Sequence, residues 1–242
     1  MNAPRLNIDL STISHNARVL VDLLAPSGIQ VAGISKAVCG SPDVAAAMLR
    51  GGAARIGDSR VENVTRLRVA GITAPLTLIR SPMQSQVQQT VLHASTSMNT
   101  EARVLDALSA AAVQLGVAHG VILMVELGDL REGIAADDVV AAAQAVARSP
   151  GLTLEGIGTN LACHSGVVPD QRKMDELSRL ADAVEAAVGH SLTIVSGGNS
   201  ANLEWALSTS DTGRITGRRL GEAILLGTEP LKRSPIAGLQ TG

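Results

Sequence analysis

Aromatic residues are almost absent from this chain of 242 residues, which contains no Phe, no Tyr and one Trp. The core must therefore be built from Leu, Ile, Val, Ala and Met, without the volume that aromatic rings provide. The absence of Tyr also removes tyrosine from every catalytic assignment. Apolar residues still make up 45% of the sequence, which is ample for a sizeable core.

Other absences exclude whole classes of protein. The net charge is −2 and the charges are interspersed, so no basic stripe or arm indicates binding to nucleic acid or to anionic lipid. No apolar run approaches the ~20 residues of a membrane-spanning helix, and the N-terminus lacks the pattern of a secretory signal peptide. Two cysteines are too few for a disulfide framework. We therefore expect a cytoplasmic protein that binds neither nucleic acid nor a membrane.

Lysine is scarce, with three lysines against seventeen arginines. Lys173 lies in a charged, helical run and Lys232 in a tail with Pro and Gly, so both are most simply surface charges. Lys36 instead ends a short apolar stretch, where an ammonium group is costly to desolvate. An amine in such a place can act as a nucleophile or form a Schiff base, and the alternative is a lysine that extends from a strand end into water.

The chain alternates between short apolar runs and helical patterns. An N-terminal strand at residues 6–10 and a helix at 13–24 are followed by eight strand-then-helix units. The eight strands end at Lys36 or span residues 54–57, 76–79, 96–98, 121–127, 152–157, 192–195 and 214–219. The segments that follow them are residues 42–49, 61–69, 85–93, 101–115, 136–146, 171–188, 202–208 and the apolar run 223–226.

Strict alternation of strand and helix predicts a parallel sheet, and eight units at this length predict a closed (β/α)8 TIM barrel. An open, doubly wound sheet is the alternative. We predict a single domain over residues 1–242, with the barrel at about 28–230. Residues 1–27 would form the N-terminal strand and helix, and residues 231–242 a tail.

Polar side chains follow nearly every predicted strand. In a βα barrel the chemistry gathers at the C-terminal ends of the strands, so these side chains are expected to converge. They are Lys36, residues 58–60, Arg80, Asn99, residues 129–132, residues 159–160, residues 196–200 and Arg219.

Residues 196–200, Ser-Gly-Gly-Asn-Ser, have the composition of a phosphate-binding loop. The glycines allow backbone N–H groups to approach an anion, and the serines add hydroxyl groups. A flexible turn followed by a helix cap is the alternative. Residues 156–158, Gly-Ile-Gly, lack the third glycine of a dinucleotide-binding loop, because Leu161 occupies that position.

Cys39 and Cys163 are both predicted on the C-terminal face of the barrel. Two thiols can racemise an amino acid without a cofactor, although buried, inert cysteine is the commoner case. His164 is the histidine predicted to lie near the site.

Several motifs, in the same order along nearly the whole chain, resemble the alanine/ornithine racemase family. They are the strand leading to Lys36, Gly-Asp-Leu-Arg-Glu-Gly-Ile (128–134), Glu-Gly-Ile-Gly-Thr-Asn-Leu (155–161), Ser-Gly-Gly-Asn-Ser (196–200) and Arg-Leu-Gly-Glu (219–222). The resemblance implies a (β/α)8 barrel that uses pyridoxal 5′-phosphate (PLP).

The resemblance also implies roles for individual residues. Lys36 is similar to the family's Schiff-base lysine, which also serves as the base on one face of the α-carbon. Arg219 corresponds to the arginine that faces the pyridine nitrogen, and Arg131 to the one beside the ring hydroxyl. The full set of implied cofactor-binding residues is Lys36, Arg131, Asn160, Gly198, Asn199, Ser200, Arg219, Gly221 and Glu222.

In the family a C-terminal β-domain supplies a tyrosine to the partner subunit as the second base, and this chain has no tyrosine. We expect a barrel without that domain, able to pair as a homodimer, with His164 or Cys163 as the second base. The predicted activity is racemisation of a small or basic amino acid. The alternatives are a truncated racemase, a single-domain PLP-binding homeostasis protein without robust racemase activity, and a cofactor-free lysine lyase.

Overall fold

The computed structural model describes residues 6–162 and 167–241, and its centre is a closed barrel of parallel strands. The eight strands are β1 (Gln30–Ile34), β2 (Arg55–Asp58), β3 (Leu76–Leu78), β4 (Thr96–Asn99), β5 (His119–Val125), β6 (Leu152–Thr159), β7 (Ile194–Ser196) and β8 (Gly217–Leu220). They neighbour one another in chain order, and β1 pairs with β8 to close the ring. The predicted TIM barrel is confirmed, and the open-sheet alternative is wrong.

Helices surround the barrel. In the described part of the chain they are α1 (Leu10–Leu24), α2 (Pro42–Arg50), α3 (Val61–Val69), α4 (Val87–His93), α5 (Ala102–Leu115), α6 (Val139–Arg148), α7 (Gln171–Val188), α8 (Leu203–Ser208) and α9 (Glu222–Leu226). None of the helices in the described part combines the length and apolar character needed to span a bilayer.

Local sequence accounts for the boundaries of the long helices. Before α7, the carboxylate of Asp170 accepts a hydrogen bond from the Lys173 backbone N–H at 2.9 Å. After α7, Gly189 adopts the left-handed conformation at φ 79°, which a glycine enters without a steric penalty. Between these ends the apolar residues recur with helical spacing, so that Met174 and Leu177 face the barrel and are buried.

The predicted strand at residues 6–10 is wrong. The carboxylate of Asp9 accepts hydrogen bonds from the backbone N–H groups of Ser11 and Thr12, at 2.8 and 3.2 Å. Asp9 is therefore the N-cap of α1, and Leu10 is already helical. Alternation of apolar and polar residues over five positions is too short a signal to compete with a capping aspartate.

The interior of the barrel is filled with methionine and aliphatic side chains. Met98, Ile122 and Met124 form its buried centre, and Ile79 and Ile194 pack against them. The chain has no Phe or Tyr to fill this space, and its one tryptophan lies on α8. A small cavity of about 40 Å³ adjoins this centre and includes Gln30, Arg55 and Gly217 in its lining. A small gap therefore remains in the packing of this region.

Candidate active site

Lys36 lies in a tight turn directly after β1. Its side chain is exposed and lines a cavity of about 120 Å³ at the C-terminal ends of the strands. The turn is closed by hydrogen bonds from the backbone N–H groups of Cys39 to the Lys36 carbonyl and of Gly40 to the Ser35 carbonyl. The amine is thus presented to the cavity from a short, hydrogen-bonded segment.

Asp58, at the end of β2, supports this turn from below. Its carboxylate is 1% exposed and accepts hydrogen bonds from the Ser35 hydroxyl at 2.7 Å and the Asn63 side-chain amide at 2.9 Å. A third bond comes from the backbone N–H of Arg60 at 3.0 Å. Asn63 in turn packs so closely on Gly40 that a Cβ there would lie 2.6 Å from the Asn63 Cβ. Asp58 therefore holds both ends of the Lys36 turn.

Arg219 reaches into the same cavity from β8. Its side chain is buried and donates to the Ser196 hydroxyl at 2.5 Å and to the Thr159 carbonyl at 2.7 Å. It also donates to Oδ1 of Asn160 at 3.2 Å. These three contacts, to β6, β7 and the loop after β6, fix the position of the guanidinium, which can only donate hydrogen bonds.

Asn160 connects Arg219 to two further loops. Its Nδ2 donates to Asp129 at 3.1 Å, and its Oδ1 accepts from Asn199 Nδ2 at 3.1 Å as well as from Arg219. Asn199 also donates to the Leu161 carbonyl at 2.9 Å. The loops after β5, β6 and β7 are therefore joined by one polar network at the mouth of the barrel.

The loop at residues 196–200 has the backbone shape expected of an anion site. Gly198 has φ 110°, and a Cβ at this position would lie 2.2 Å from Oδ1 of Asn202, so a larger residue is excluded. Ser200 is buried, and its hydroxyl accepts a hydrogen bond from the Ala223 N–H at 3.3 Å. No acceptor among the described residues takes a hydrogen bond from the backbone N–H groups of Gly198, Ser200 or Gly221. These orphaned donors are what a phosphate group requires.

Arg131 lies on the loop between β5 and α6. Its side chain is half-exposed and forms an ion pair with Glu132 at 3.8 Å. Glu126 shapes this loop, because its carboxylate accepts from the backbone N–H groups of Gly128 and Leu130 at 2.5 and 3.0 Å. Arg131 and Glu132 both line the cavity.

The structure brings most of the residues predicted for the site to one cavity. Those that line it are Lys36, Arg131, Asn160, Asn199, Ser200, Arg219, Gly221 and Glu222. Gly198 lies beside them in the loop at 196–200 but is not part of the lining. Their cofactor-binding roles stay predictions.

The two residues predicted as the second base, Cys163 and His164, lie outside the described residues. Cys39 is exposed in the turn after Lys36, at φ 52°, and does not line the cavity. No group of His, Cys, Asp and Glu side chains in the described part of the chain is arranged to hold a metal ion.

Three contributors were not identified from the sequence. Ser35 and Asn63 act by hydrogen bonding to Asp58, and no local sequence pattern indicates such a supporting contact. The third is Arg218, for which the only sequence signal is its position next to Arg219. Alternation along β8 places their side chains on opposite faces of the sheet, so Arg218 belongs behind the site.

A (β/α)8 barrel with a lysine and a glycine-containing loop at its mouth is the class of protein that this fold and site define. The chain matches the model for the alanine racemase N-terminal domain over residues 8–228. It therefore belongs to the alanine racemase N-terminal domain family, in agreement with the resemblance found in the sequence.

Two of the curated proteins similar to this chain are racemases of basic amino acids. It is 34% identical over 227 residues to a lysine racemase from Thermotoga maritima, with 93% of this chain and 63% of the relative aligned. It is 32% identical over 237 residues to an ornithine racemase from Acetoanaerobium sticklandii, with 98% of this chain and 67% of the relative aligned. The chain thus spans about two thirds of the length of these relatives.

Solved structures agree on the fold. The alanine racemase of Clostridium difficile in complex with cycloserine superposes with a TM-score of 0.81 at 20% identity, covering 97% of this chain and 64% of that one. A D-threonine aldolase from Filomicrobium marinum gives a TM-score of 0.80 at 18% identity, covering 100% of this chain and 67% of the other. At such identities the likeness concerns the barrel and not its chemistry.

Proposed function

We propose that this chain is the barrel of a PLP-dependent racemase that inverts a basic or small amino acid. One observation carries the proposal. The Lys36 amine, the buried Arg219 guanidinium and the Gly198–Ser200 loop with its unused N–H groups all face or border one cavity. The named relatives act on lysine and ornithine, which favours a basic amino acid.

The residues of the cavity suit PLP. Ser200 and the backbone N–H groups of Gly198, Ser200 and Gly221 would hold the phosphate, and Lys36 would bond to the aldehyde carbon. Arg219 would face the ring nitrogen, and Arg131 the ring hydroxyl. When bound, PLP supplies an electron-accepting ring that makes the α-proton of an attached amino acid acidic.

The protein's own groups would then position the substrate and move protons. The Lys36 amine would remove the α-proton from one face of the α-carbon in one direction of the reaction and deliver a proton to that face in the reverse direction. Arg219 would hold the ring nitrogen by donating a hydrogen bond, because a guanidinium has no acceptor. The opposite face needs a second group, and Cys163 or His164 remains our prediction for it, because the chain has no tyrosine. A homodimer in the cytoplasm is part of the same proposal.

The test combines a spectrum with an activity assay on the purified protein incubated with PLP. Bound PLP should give a visible absorption band, and borohydride should fix the cofactor irreversibly on Lys36, as peptide mapping would show. Racemisation of L-lysine, L-ornithine and L-alanine would be followed by chiral chromatography, and loss of the α-hydrogen by exchange into deuterated water. Lys36→Ala should abolish the band and lower racemisation by a factor on the order of 10²–10⁴.

Lys173→Ala is the matched control, because Lys173 is paired with Asp170 at 2.6 Å on α7, away from the cavity. It should leave both readouts unchanged. A band that depends on Lys36 without α-hydrogen exchange would identify a PLP-binding protein that is not a racemase. No band at all, with borohydride trapping a substrate carbonyl on Lys36, would point to the cofactor-free lyase instead.

A further inference from the structure

Arg218 is a buried cation directly behind the loop at 196–200. It is 1% exposed, lies on the outward face of β8, and donates through Nη1 to the Gly197 carbonyl. Its guanidinium carbon lies 5.0 Å from the centre of the Trp205 ring on α8. Among the described residues no carboxylate pairs with Arg218, and its Nε and Nη2 atoms have no hydrogen-bond partner.

Such a side chain is costly in the folded protein. Burial, together with the adjacent Arg219 charge, lowers the pKa of Arg218 to about 9, which leaves the guanidinium charged at neutral pH. An ion removed from water without a counter-charge is strongly destabilising, and the aromatic face of Trp205 offsets only part of this. An apolar side chain of similar length would fill the same space without the penalty.

The contact with Gly197 links Arg218 to the orphaned donors of the loop. The peptide bond between Gly197 and Gly198 is trans, so its carbonyl and its N–H point in opposite directions. The carbonyl points to Arg218, and the N–H of Gly198, which has no acceptor among the described residues, points away from it. A charged donor on a carbonyl polarises the peptide and strengthens the N–H as a donor.

Gly197 leaves room for this arrangement. A Cβ at Gly197 would lie 2.9 Å from Nη1 of Arg218 and 2.7 Å from Ile215, so any side chain would push the guanidinium away from the loop. The glycine therefore lets the cation approach the back of the loop as closely as the backbone permits.

We propose that Arg218 is a positioning residue for a phosphate group bound by the loop at residues 196–200. It acts through the Gly197–Gly198 peptide and supplies the positive charge behind the anion. The inference rests on the phosphate-binding part of the proposed function. It adds that the cation on the far side of the loop, which does not line the Lys36 cavity, determines how tightly the anion is held.

This role predicts opposite effects of one substitution on two measurements. Arg218→Met removes an unpaired buried charge, so the protein without phosphate should unfold at an equal or higher urea concentration. The same change removes the charge behind the anion, so inorganic phosphate should bind at least about tenfold more weakly. If Arg218 had only a structural role, its replacement would lower the stability of the protein.

The experiment measures the affinity for inorganic phosphate by titration calorimetry and by Trp205 fluorescence, with no PLP present. Trp205 is the single tryptophan of a chain without tyrosine, so its emission reports directly on the surroundings of Arg218. Arg218→Lys keeps the charge and should retain part of the affinity. Arg179→Met removes an exposed, ion-paired arginine on α7 and should leave phosphate binding unchanged.

The outcomes separate the two proposals. Phosphate that binds the unaltered protein and the Arg218→Met variant equally well overturns the role of Arg218 alone. Loss of binding together with a large loss of stability in both Arg218 variants overturns it too, because the arginine would then be structural. Absence of phosphate binding to the unaltered protein overturns the phosphate site and, with it, this inference.

Discussion

At the scale of single residues, His119 shows how burial changes the chemistry of a side chain far from the site. His119 opens β5, is completely buried, and contacts the Ser97 hydroxyl through Nε2 at 2.8 Å. Burial lowers its pKa from 6.5 to about 4, because water no longer stabilises the imidazolium. His119 is therefore neutral in the folded protein at any pH above about 4.

This shift predicts a loss of stability in acid. Between pH 6.5 and 4 the unfolded chain binds a proton at His119 that the folded protein does not, so the free energy of unfolding falls as the pH falls. A shift of this size corresponds to about 3 kcal/mol in all. Urea unfolding, followed by Trp205 fluorescence at pH 7.5, 5.5 and 4.5, should show this fall.

His119→Gln should flatten the pH dependence over the same range, whatever it does to stability at neutral pH. His15→Gln, at an exposed position on α1, is the matched control. If the His119→Gln protein retains the full slope of the unaltered protein between pH 6.5 and 4.5, the histidine is not its source.

At the scale of elements, most of the barrel could be predicted because each strand–helix unit has its own local start and stop signals. The apolar run of β5 and the capping Asp170 of α7 are local signals that tertiary packing does not override. The ends of β7 and β8 were harder to predict. β8 begins at Gly217 and not at residue 214, because pairing with β1 decides where a short strand starts.

The same limit applies to the site. Sequence order places Lys36, Asp58 and Arg219 at strand ends, and the topology of a barrel then brings strand ends together. The direction in which each side chain points is decided by packing instead. Asp58 was expected among the converging polar groups, yet its carboxylate points beneath the Lys36 turn, where Ser35 and Asn63 bind it. A sequence cannot show to which of two neighbouring strand ends a buried carboxylate will be hydrogen-bonded.

The glycines of the barrel strands give a prediction about packing. A Cβ on Gly217 would meet nothing closer than 4.0 Å, and it would face the unfilled cavity beside Gln30 and Ile194. Gly217→Ala should therefore stabilise the protein by about 0.5–1 kcal/mol, since alanine restricts the unfolded chain and adds buried apolar surface. The measurement is the urea midpoint at constant m-value.

Gly156, on the neighbouring part of the same barrel, is the contrasting position. A Cβ there would lie 1.8 Å from the Ile194 carbonyl oxygen, so Gly156→Ala should destabilise the protein severely. A Gly217→Ala protein that is as unstable as Gly156→Ala would show that the cavity is not available to a side chain.

At the scale of the whole molecule, the two ends of the chain close the barrel together. β1 and β8 pair side by side, and α1 packs against α9. Asn16, in the middle of α1, is completely buried and donates to the carbonyls of Ile224 and Gln240 at 3.1 and 2.9 Å. It also accepts from the Gln240 N–H at 2.8 Å. One side chain thus ties α1 to α9 and to the segment after it.

Replacing Asn16 should therefore weaken the entire fold and not only the C-terminal segment. Asn16→Ala leaves the Ile224 carbonyl without its partner in a buried place and the Gln240 carbonyl and N–H without theirs in a part-buried one, which we expect to cost about 1–3 kcal/mol. Thr12→Ala, which removes an exposed hydrogen bond to the Gln240 side chain at 2.9 Å, is the matched control and should cost less than about 0.5 kcal/mol.

Two readouts test whether the barrel unfolds as one unit. Because Trp205 on α8 is remote in sequence from α1, the unfolding transitions followed by its fluorescence and by far-ultraviolet circular dichroism should then shift together. Equal, small losses in both variants, or a fluorescence transition that does not move while the circular dichroism does, would mean that the ends of the chain are attached to the barrel without holding it closed.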